Sequence, residues 1–524
     1  MKAKLTSDDN FLIIEDIRQF EKERLVNYFT KKIPNWFIIK RKNPYANVDS
    51  AFINNYNMIP AGLWLELVNA CKEFNFSLSF DPDFNCRIKN CEFNYDEYAT
   101  YITNLFSKND KGIRPMDHQL TGVYNILSYK KCCIEVSTSG GKTLIAYMLF
   151  KFLKDMCNIK HILYVTPSTS LTTQSADKFI LYDNSNGVDV DWTYSEIHAD
   201  AKKKSKYDDN IVFGNYQSIC KKKKDFFEMF DCVIVDECAH AKADSIKNIL
   251  KKCVNAKYKV GVTGTFPKSG TYENFIIQSY IGPVVYRYSS YELINDAKFA
   301  TPVHVLGILM KYLDKEKLES LHNVRMNVSK DNVEFGSKVL DIEKEVARSS
   351  ELRFKYICDT AKRTTKNTLI LFGDIKNGYG RRIYQHLKEY TDKNVFYVDG
   401  SATADYRENA KRTMENDTDG NTIIVASIGT FGEGIDIGNL WNIFLVETTK
   451  SDNNIGQILG RGMRPYPGKE RTILLDFADD YRYGDDKKHN NYLYKHFNER
   501  LSIYKQRKFP YQVTEINLLQ NNLF

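Results

Sequence analysis

CCIEVSTSGGKTLIAYMLFKFL, residues 132–153, is the stretch on which the reading of the chain turns. Its first five residues form a short, mainly apolar run of the kind that makes a strand buried on both faces. Its last ten are apolar for too long to be a strand and read as a helix packed into a core. Between them lie Ser137, Thr138, Ser139, Gly140, Gly141, Lys142 and Thr143. Strand, glycine-bearing loop and helix in that order make a phosphate cradle, because loop N–H groups and the helix N-terminus both face an anion. Lys142 is placed to reach β and γ oxygens, and the Thr143 hydroxyl to ligate Mg2+. A standard loop of this kind opens with Gly, where this chain has Val136.

Outward from that loop, short apolar runs alternate with amphipathic stretches, the pattern of parallel strands joined by crossover helices. CCIEVS, HILYVTP, NIVFGNY, DCVIVDE and YKVGVTGT form one series, and TLILFGD, NVFYVDG, TIIVAS, NIFLVET and TILLDFA form a second. Each series predicts its own helix-covered sheet, so the fold class is α/β with two tandem parallel-sheet domains. The expected organisation is a small α+β domain over 1–100, the first sheet domain over 101–300, the second over 301–480, and a short helical C-terminal extension over 481–524. The segment 301–366 is polar and predicts helices bridging the two sheets.

DCVIVDECAH ends an apolar strand in two adjacent acids, Asp236 and Glu237. Acids at a strand's C-terminal end sit at the ligand edge of an open parallel sheet. Asp236 is suited to hold a Mg2+ shell and Glu237 to orient and deprotonate a water, the division that phosphoryl transfer requires. In the second series, Gln457 to Arg464 sets Arg461 and Arg464 three residues apart, on one face if helical. Their guanidinium forks would neutralise charge on a transferring phosphoryl group, so the nucleotide is expected to be ATP, shared between the two domains.

Composition limits the alternatives. A length of 524 residues implies several domains, and 43% hydrophobic with 27% charged residues is the balance of a folded chain. A net charge of +8 permits a polyanionic partner without requiring one. Lysine clusters at Lys202–Lys204 with Lys206 and at Lys221–Lys224 suit phosphate contacts or solvated loops equally. Eleven cysteines include no CxxC pair, which argues against a zinc site or a disulfide scaffold. The opening MKAKLTSDDNFLIIED lacks the apolar run of a signal peptide, and no stretch has the length of a membrane span. The expectation is a cytoplasmic protein with no membrane partner.

With these residues in hand, the chain resembles superfamily 2 helicases, whose motifs fall here in the family's order. His118-Gln119 in RPMDHQL resembles the Q motif, in which Gln119 would read adenine. VTPSTSLTTQ, with Thr166, Pro167 and Gln174, resembles motif Ia, and NYQS, with Asn215 and Gln217, the strand-contacting motif after it. DECAH resembles motif II, and Thr263-Gly264-Thr265 motif III. SIGTFGEGIDI, with Ser427, Thr430, Gly434 and Asp436, resembles motif V, and Gln457 to Arg464 motif VI. One departure stands out: Ala239 intervenes before His240, so the family's histidine that contacts Gln457 is displaced or its role reassigned.

A closer resemblance, to recombination helicases of T-even bacteriophages, runs through MIPAGLWLELVNACKEFNFSLSFDPDFN, SLTTQSADKF and YLYKHFNERLSIYKQRKFPYQV. It implies ATP-driven unwinding or branch migration of forked, Holliday-type or RNA–DNA hybrid structures by a monomer in the host cytoplasm. A single-stranded-DNA-binding protein or a recombinase would be its partner. It also implies that the N-terminal domain grips duplex DNA, with Lys40, Arg41 and Lys42 on phosphates; a solvated turn is the other reading of those three. The competing functions are an RNA-directed helicase, the motor of a restriction system, and an ATP-switched DNA clamp that never unwinds. The His489-Asn490-Asn491 and His496 cluster lacks the acidic partners of a nuclease.

Overall fold

The structure, a computed structural model, describes residues 1–89, 93–198, 209–239, 243–296, 299–312, 315–327, 335–432, 437–449, 451–482 and 491–518. The chain divides into two compact units, Met1–Tyr288 and Ser289–Phe524.

The first unit begins with a small sheet in which β1 (Lys2–Leu5) pairs antiparallel with β2 (Phe11–Glu15). A two-stranded ribbon of β3 (Thr30–Lys32) and β4 (Asp49–Ala51) follows, and β5 (Met58–Pro60) and β6 (Ser79–Phe80) complete the first sheet as β5-β2-β1-β6. Period-two burial in FLIIE puts Leu12 and Ile14 inside, where they meet Leu25, Phe29, Leu63 and Leu67. Phe275 and Ile276 belong to the same core, yet they sit on the helix Tyr272–Tyr280 that covers the larger sheet. Phe275 lies 5.4 Å from the Phe29 ring and 5.3 Å from that of Phe52. Each such buried ring contributes about 1.5–3 kcal/mol, which explains why the small sheet and the larger one form a single unit.

The larger sheet is built from β7 (Lys131–Val136), β8 (Ile162–Thr166), β9 (Tyr194–Ile197), β10 (Ile211–Asn215), β11 (Cys232–Asp236), β12 (Tyr258–Thr263) and β13 (Val284–Tyr288). All pairs are parallel, in the order β13-β7-β12-β11-β8-β10-β9. Their C-terminal ends therefore share one edge, where a doubly wound sheet takes its ligand. At that edge β12 separates the loop after β7 from the acids after β11.

The second unit holds β14 (Val303–Tyr312), β15 (Thr368–Phe372), β16 (Asn394–Val398), β17 (Thr422–Ser427), β18 (Asn442–Leu445), β19 (Thr472–Asp480) and β20 (Tyr511–Leu518). Their order is β16-β17-β15-β18-β19-β14-β20, again wholly parallel. Two tandem parallel sheets with a small α+β region are the fold that the alternating pattern predicts. The strands absent from the two sequence series are β9, β13, β14 and β20. β14 opens the segment read as polar and helical, and its apolar VHVLGILMKY precedes three helices, Lys315–Asn327, Phe335–Ser349 and Glu351–Arg363. β20 follows the expected C-terminal helix, Tyr492–Gln506, and is an edge strand whose residues are mostly exposed, so it carries no buried-strand signal.

Candidate functional site

The loop after β7 turns through two left-handed residues, Ser139 at φ 72° and Gly141 at φ 81°, before the helix Lys142–Cys157. Backbone reversals of this kind aim successive N–H groups into a concavity that suits an anion. The loop is fixed from behind. Gln119 Nε2 donates to the Gly140 carbonyl at 3.1 Å, and the Gln119 side-chain oxygen accepts the Met116 N–H at 3.0 Å. His118 Nε2 lies 2.9 Å from the same carbonyl. A carbonyl only accepts, so His118 carries its proton on Nε2, and burial holds its pKa below the usual value, keeping the ring neutral. The ring stacks on Tyr288 at 4.3 Å. A side chain at Gly141 would meet Gln119 Nε2 at 2.1 Å, so glycine there serves both the left-handed turn and the close approach of the Q-motif residue.

Lys142 Nζ stands 3.1 Å from Glu237 Oε1. Glu237 itself is left-handed at φ 48°, a cost for a residue with a Cβ that marks a position held by its surroundings. Its other oxygen accepts the Thr263 hydroxyl at 3.2 Å and the Gly264 N–H at 3.4 Å. The third motif thus contacts the second at the end of the strand between them. A Cβ at Gly264 would fall 3.0 Å from Thr138 Oγ1 and 3.2 Å from Lys142 Nζ, so a bare backbone is what lets loop and motif III approach.

Asp236 is buried and accepts the Tyr164 hydroxyl at 3.0 Å and the Glu237 N–H at 2.9 Å. Burial, then the adjacent Glu237, pushes its pKa up to about 6, against Lys142 and Tyr164, which lower it. Asp236 and Glu237 are adjacent carboxylates with Lys142 beside them, a donor set that a divalent cation can use. Tyr164 and Tyr216, whose hydroxyl donates to the Asp236 carbonyl at 2.9 Å, escape a sequence reading because an aromatic inside an apolar run looks like core.

Other expected contacts divide by accessibility. Asn215 is buried, capping the Ser218 N–H at 2.9 Å and donating to Thr169 Oγ1 at 3.0 Å, so it ties two loops together. Gln217 is exposed beside it. Gln174 donates to Ser170 Oγ at 3.2 Å, and Pro167 precedes Ser168, the cap of the helix Thr169–Ser185. Lys40, Arg41 and Lys42 form the last turn of the helix Trp36–Lys42, which buries no residue and exposes Trp36 by 40% and Phe37 by 48%.

In the second unit, Ser427 donates to Thr430 Oγ1 at 2.7 Å and accepts the Thr430 N–H at 3.2 Å. Gln457 and Arg461 lie on the helix Asp452–Gly462, whereas Arg464 follows its C-cap and donates its N–H to the Arg461 carbonyl at 3.3 Å. Burial pulls the Arg464 pKa down to about 10, with Glu415 opposing it, which leaves the guanidinium a desolvated cation. Lys469 Nζ donates to the Gly438, Gly462 and Arg464 carbonyls at 3.1, 3.1 and 2.9 Å, binding the end of motif V to that of motif VI. Sequence reading missed Lys469, which looks like any loop lysine. Gly434, Asp436, His240, the cluster at Lys202–Lys204 with Lys206, and His489 with Asn490 lie outside the described residues. Within the described residues no helix is long and apolar enough to cross a membrane.

The family model for the type III restriction enzyme res subunit matches residues 112–268, the part bearing the loop and the acids. The chain is 27% identical to the ATP-dependent DNA helicase UvsW of Enterobacteria phage T4, over 91% of this chain and 93% of that one. Among solved structures, a fragment of an HsdR-type subunit of a type I restriction enzyme from Vibrio vulnificus YJ016 shares the fold at TM-score 0.53. It is 18% identical, over 86% of this chain and 74% of its own. Dbp5 of S. cerevisiae, bound to RNA and ADP BeF3, matches at TM-score 0.51 and 12% identity, over 81% of this chain and 96% of that one. Motif order, paired parallel sheets and a helicase relative along nearly its whole length make the chain similar to ATP-dependent helicases of superfamily 2.

Proposed function

We propose that the chain is a DNA helicase that unwinds, branch-migrates or remodels forked, Holliday-type or RNA–DNA hybrid structures, hydrolysing ATP at the loop 137–143 in the service of recombination and replication repair. The observation that carries the motor reading is the Lys142–Glu237 ion pair, 3.1 Å long, at the sheet edge beside a buried Asp236. An incoming γ-phosphate competes for Lys142 and so releases Glu237, the general base, to take a water. Thr143 and Asp236 would hold Mg2+, which supplies charge neutralisation on the phosphate oxygens. Thr263 and Gly264, already on Glu237, pass the change to the next strand end.

Arg461 and Arg464 complete hydrolysis, with Gln457 orienting them, and Gly434 and Asp436 contact the nucleotide. Gln119 reads the adenine edge while keeping hold of Gly140. Pro167, Gln174, Gln217, Ser427 and Thr430 track the phosphate backbone, with Asn215 holding that loop in shape.

DNA as the substrate is supported by the likeness to the T4 protein, a DNA helicase. The exposed Trp36 and Phe37 beside Lys40, Arg41 and Lys42 supply stacking faces next to phosphate-binding cations, a combination suited to an opened duplex end. ATPase and strand separation measured on duplex, forked, four-way, RNA–DNA and structured RNA substrates test the reading. Forked and four-way DNA are expected to stimulate most. Stimulation by structured RNA alone, or hydrolysis without strand separation, would overturn it.

A further inference from the structure

A cavity of about 370 Å³ opens at the opposite end of the first unit's parallel sheet, between it and the small N-terminal sheet. The six residues of β7 put it about 20 Å from the phosphate loop. Its lining carries five cationic side chains, Arg87, Lys130, Lys131, Lys257 and Lys259, against one carboxylate, Asp9. Asp9 is already ion-paired with Arg87.

Lys131 opens β7, and Lys259 stands directly beside it in register on β12. In-register neighbours point to the same face, so two ammonium groups project side by side, and like charges so placed destabilise a sheet. Neither has a carboxylate within ion-pair distance among the described residues; Lys259 has only the Leu250 carbonyl at 3.4 Å. Burial lowers the pKa of both, and Lys131 lowers that of Lys259 further, while Asp9 and Asp8 raise that of Lys131. Asp8 is itself occupied by Thr6 and Asn10. The walls do not offer an escape by moving apart. A Cβ at Gly62 would fall 1.9 Å from the Gln278 carbonyl, and one at Gly282, at φ 142°, 2.0 Å from that of Lys131. Backbone is packed on backbone there.

We propose that this cavity is an anion site that takes a phosphate-bearing ligand of nucleotide size, separate from the ATP loop. The donors are paired lysines with no carboxylate within ion-pair distance among the described residues, and the volume falls in the range of small-molecule sites. The phosphate is either that of a free phosphorylated molecule or that of a nucleic-acid backbone. The inference does not depend on the role given to Lys142.

The test uses the full chain in a Lys142→Ala background, which weakens the phosphate loop, with pyrophosphate titrated by calorimetry and forked DNA by anisotropy. Pyrophosphate is expected to bind with Kd below about 1 mM, and at least tenfold more weakly after Lys259→Glu. Lys131→Met/Lys259→Met should show the same loss with an unchanged or higher Tm, because it removes a repulsion and not a packing element. Loss of pyrophosphate binding with DNA affinity intact identifies a free phosphorylated ligand. A fall in DNA affinity, with a salt slope smaller by about one or two, identifies backbone phosphate. If neither ligand responds to Lys259→Glu, or if the double substitution lowers Tm without altering either affinity, the site is refuted.

Discussion

Two kinds of buried charge stand in contrast in this molecule. In the second unit, Arg500 donates to Asp476 at 2.7, 2.8 and 3.1 Å and to Thr448 at 3.0 Å, while Tyr504 adds another bond to Asp476 at 2.9 Å. Arg353 is equally saturated by Asp479 at 2.7 Å, Tyr379 at 2.8 Å and the Val446 carbonyl at 2.7 Å. In the first unit, two acids share Lys142, one of them with its pKa raised to about 6. Saturated pairs fix helices to a sheet, whereas Asp236, adjacent to Glu237 at a strand end, keeps a raised pKa that a bound cation would lower. Arg500 lies on the C-terminal helix, so that helix is bound to β19 by charge as well as by packing.

Substitutions should separate the two classes. Lys142→Ala is expected to lower ATPase on the order of a thousandfold or more with circular dichroism and Tm near wild type; near-normal turnover would remove the assignment. Glu237→Gln should cost about 10²–10⁴-fold in kcat and leave ATP affinity intact or improved, since Lys142 is freed from its partner. Arg500→Met should do the opposite, destabilising the fold by about 3–5 kcal/mol in denaturant titrations. Replacing Asp476 together with Arg500 by apolar residues should recover much of that loss; no recovery would mean the pair does more than compensate itself. Thr263→Val removes one bond to Glu237 and should slow hydrolysis by about three- to tenfold.

The smallest effect is a dependence on pH. Burial brings Lys469 down to about 7, with Arg464 also lowering it and Glu415 opposing both. A lysine depressed in the folded state binds its proton more readily when unfolded, so stability rises with pH between about 7 and the ordinary lysine value near 10.4. Lys469→Met should flatten that rise in denaturant titrations across the same range. An unchanged slope would show that the three carbonyls restore what burial takes from the ammonium.

What the sequence made legible follows from locality. The phosphate loop needs only twelve contiguous residues, and Asp236-Glu237 only the strand before them. Tyr164 at Asp236, Tyr288 under His118 and Lys469 on Gly438 join residues that are far apart in the chain, and no spacing signals them. The pairing of Lys131 with Lys259 depends on β12 inserting next to β7, 128 residues away. A sequence read in order shows two unremarkable lysines there. The same holds for β14, which was lost among polar neighbours until its parallel pairing with β19 and β20 gave it a place.

The proposal with most at stake is that hydrolysis at Lys142, Asp236 and Glu237 requires Arg461 and Arg464. Steady-state ATPase of Arg461→Ala and Arg464→Ala, with DNA present at saturation, tests it most directly. The account predicts a kcat at least on the order of a hundredfold lower with KM for ATP within a few-fold of wild type and Tm unchanged. Turnover near the wild-type rate in both variants would contradict it.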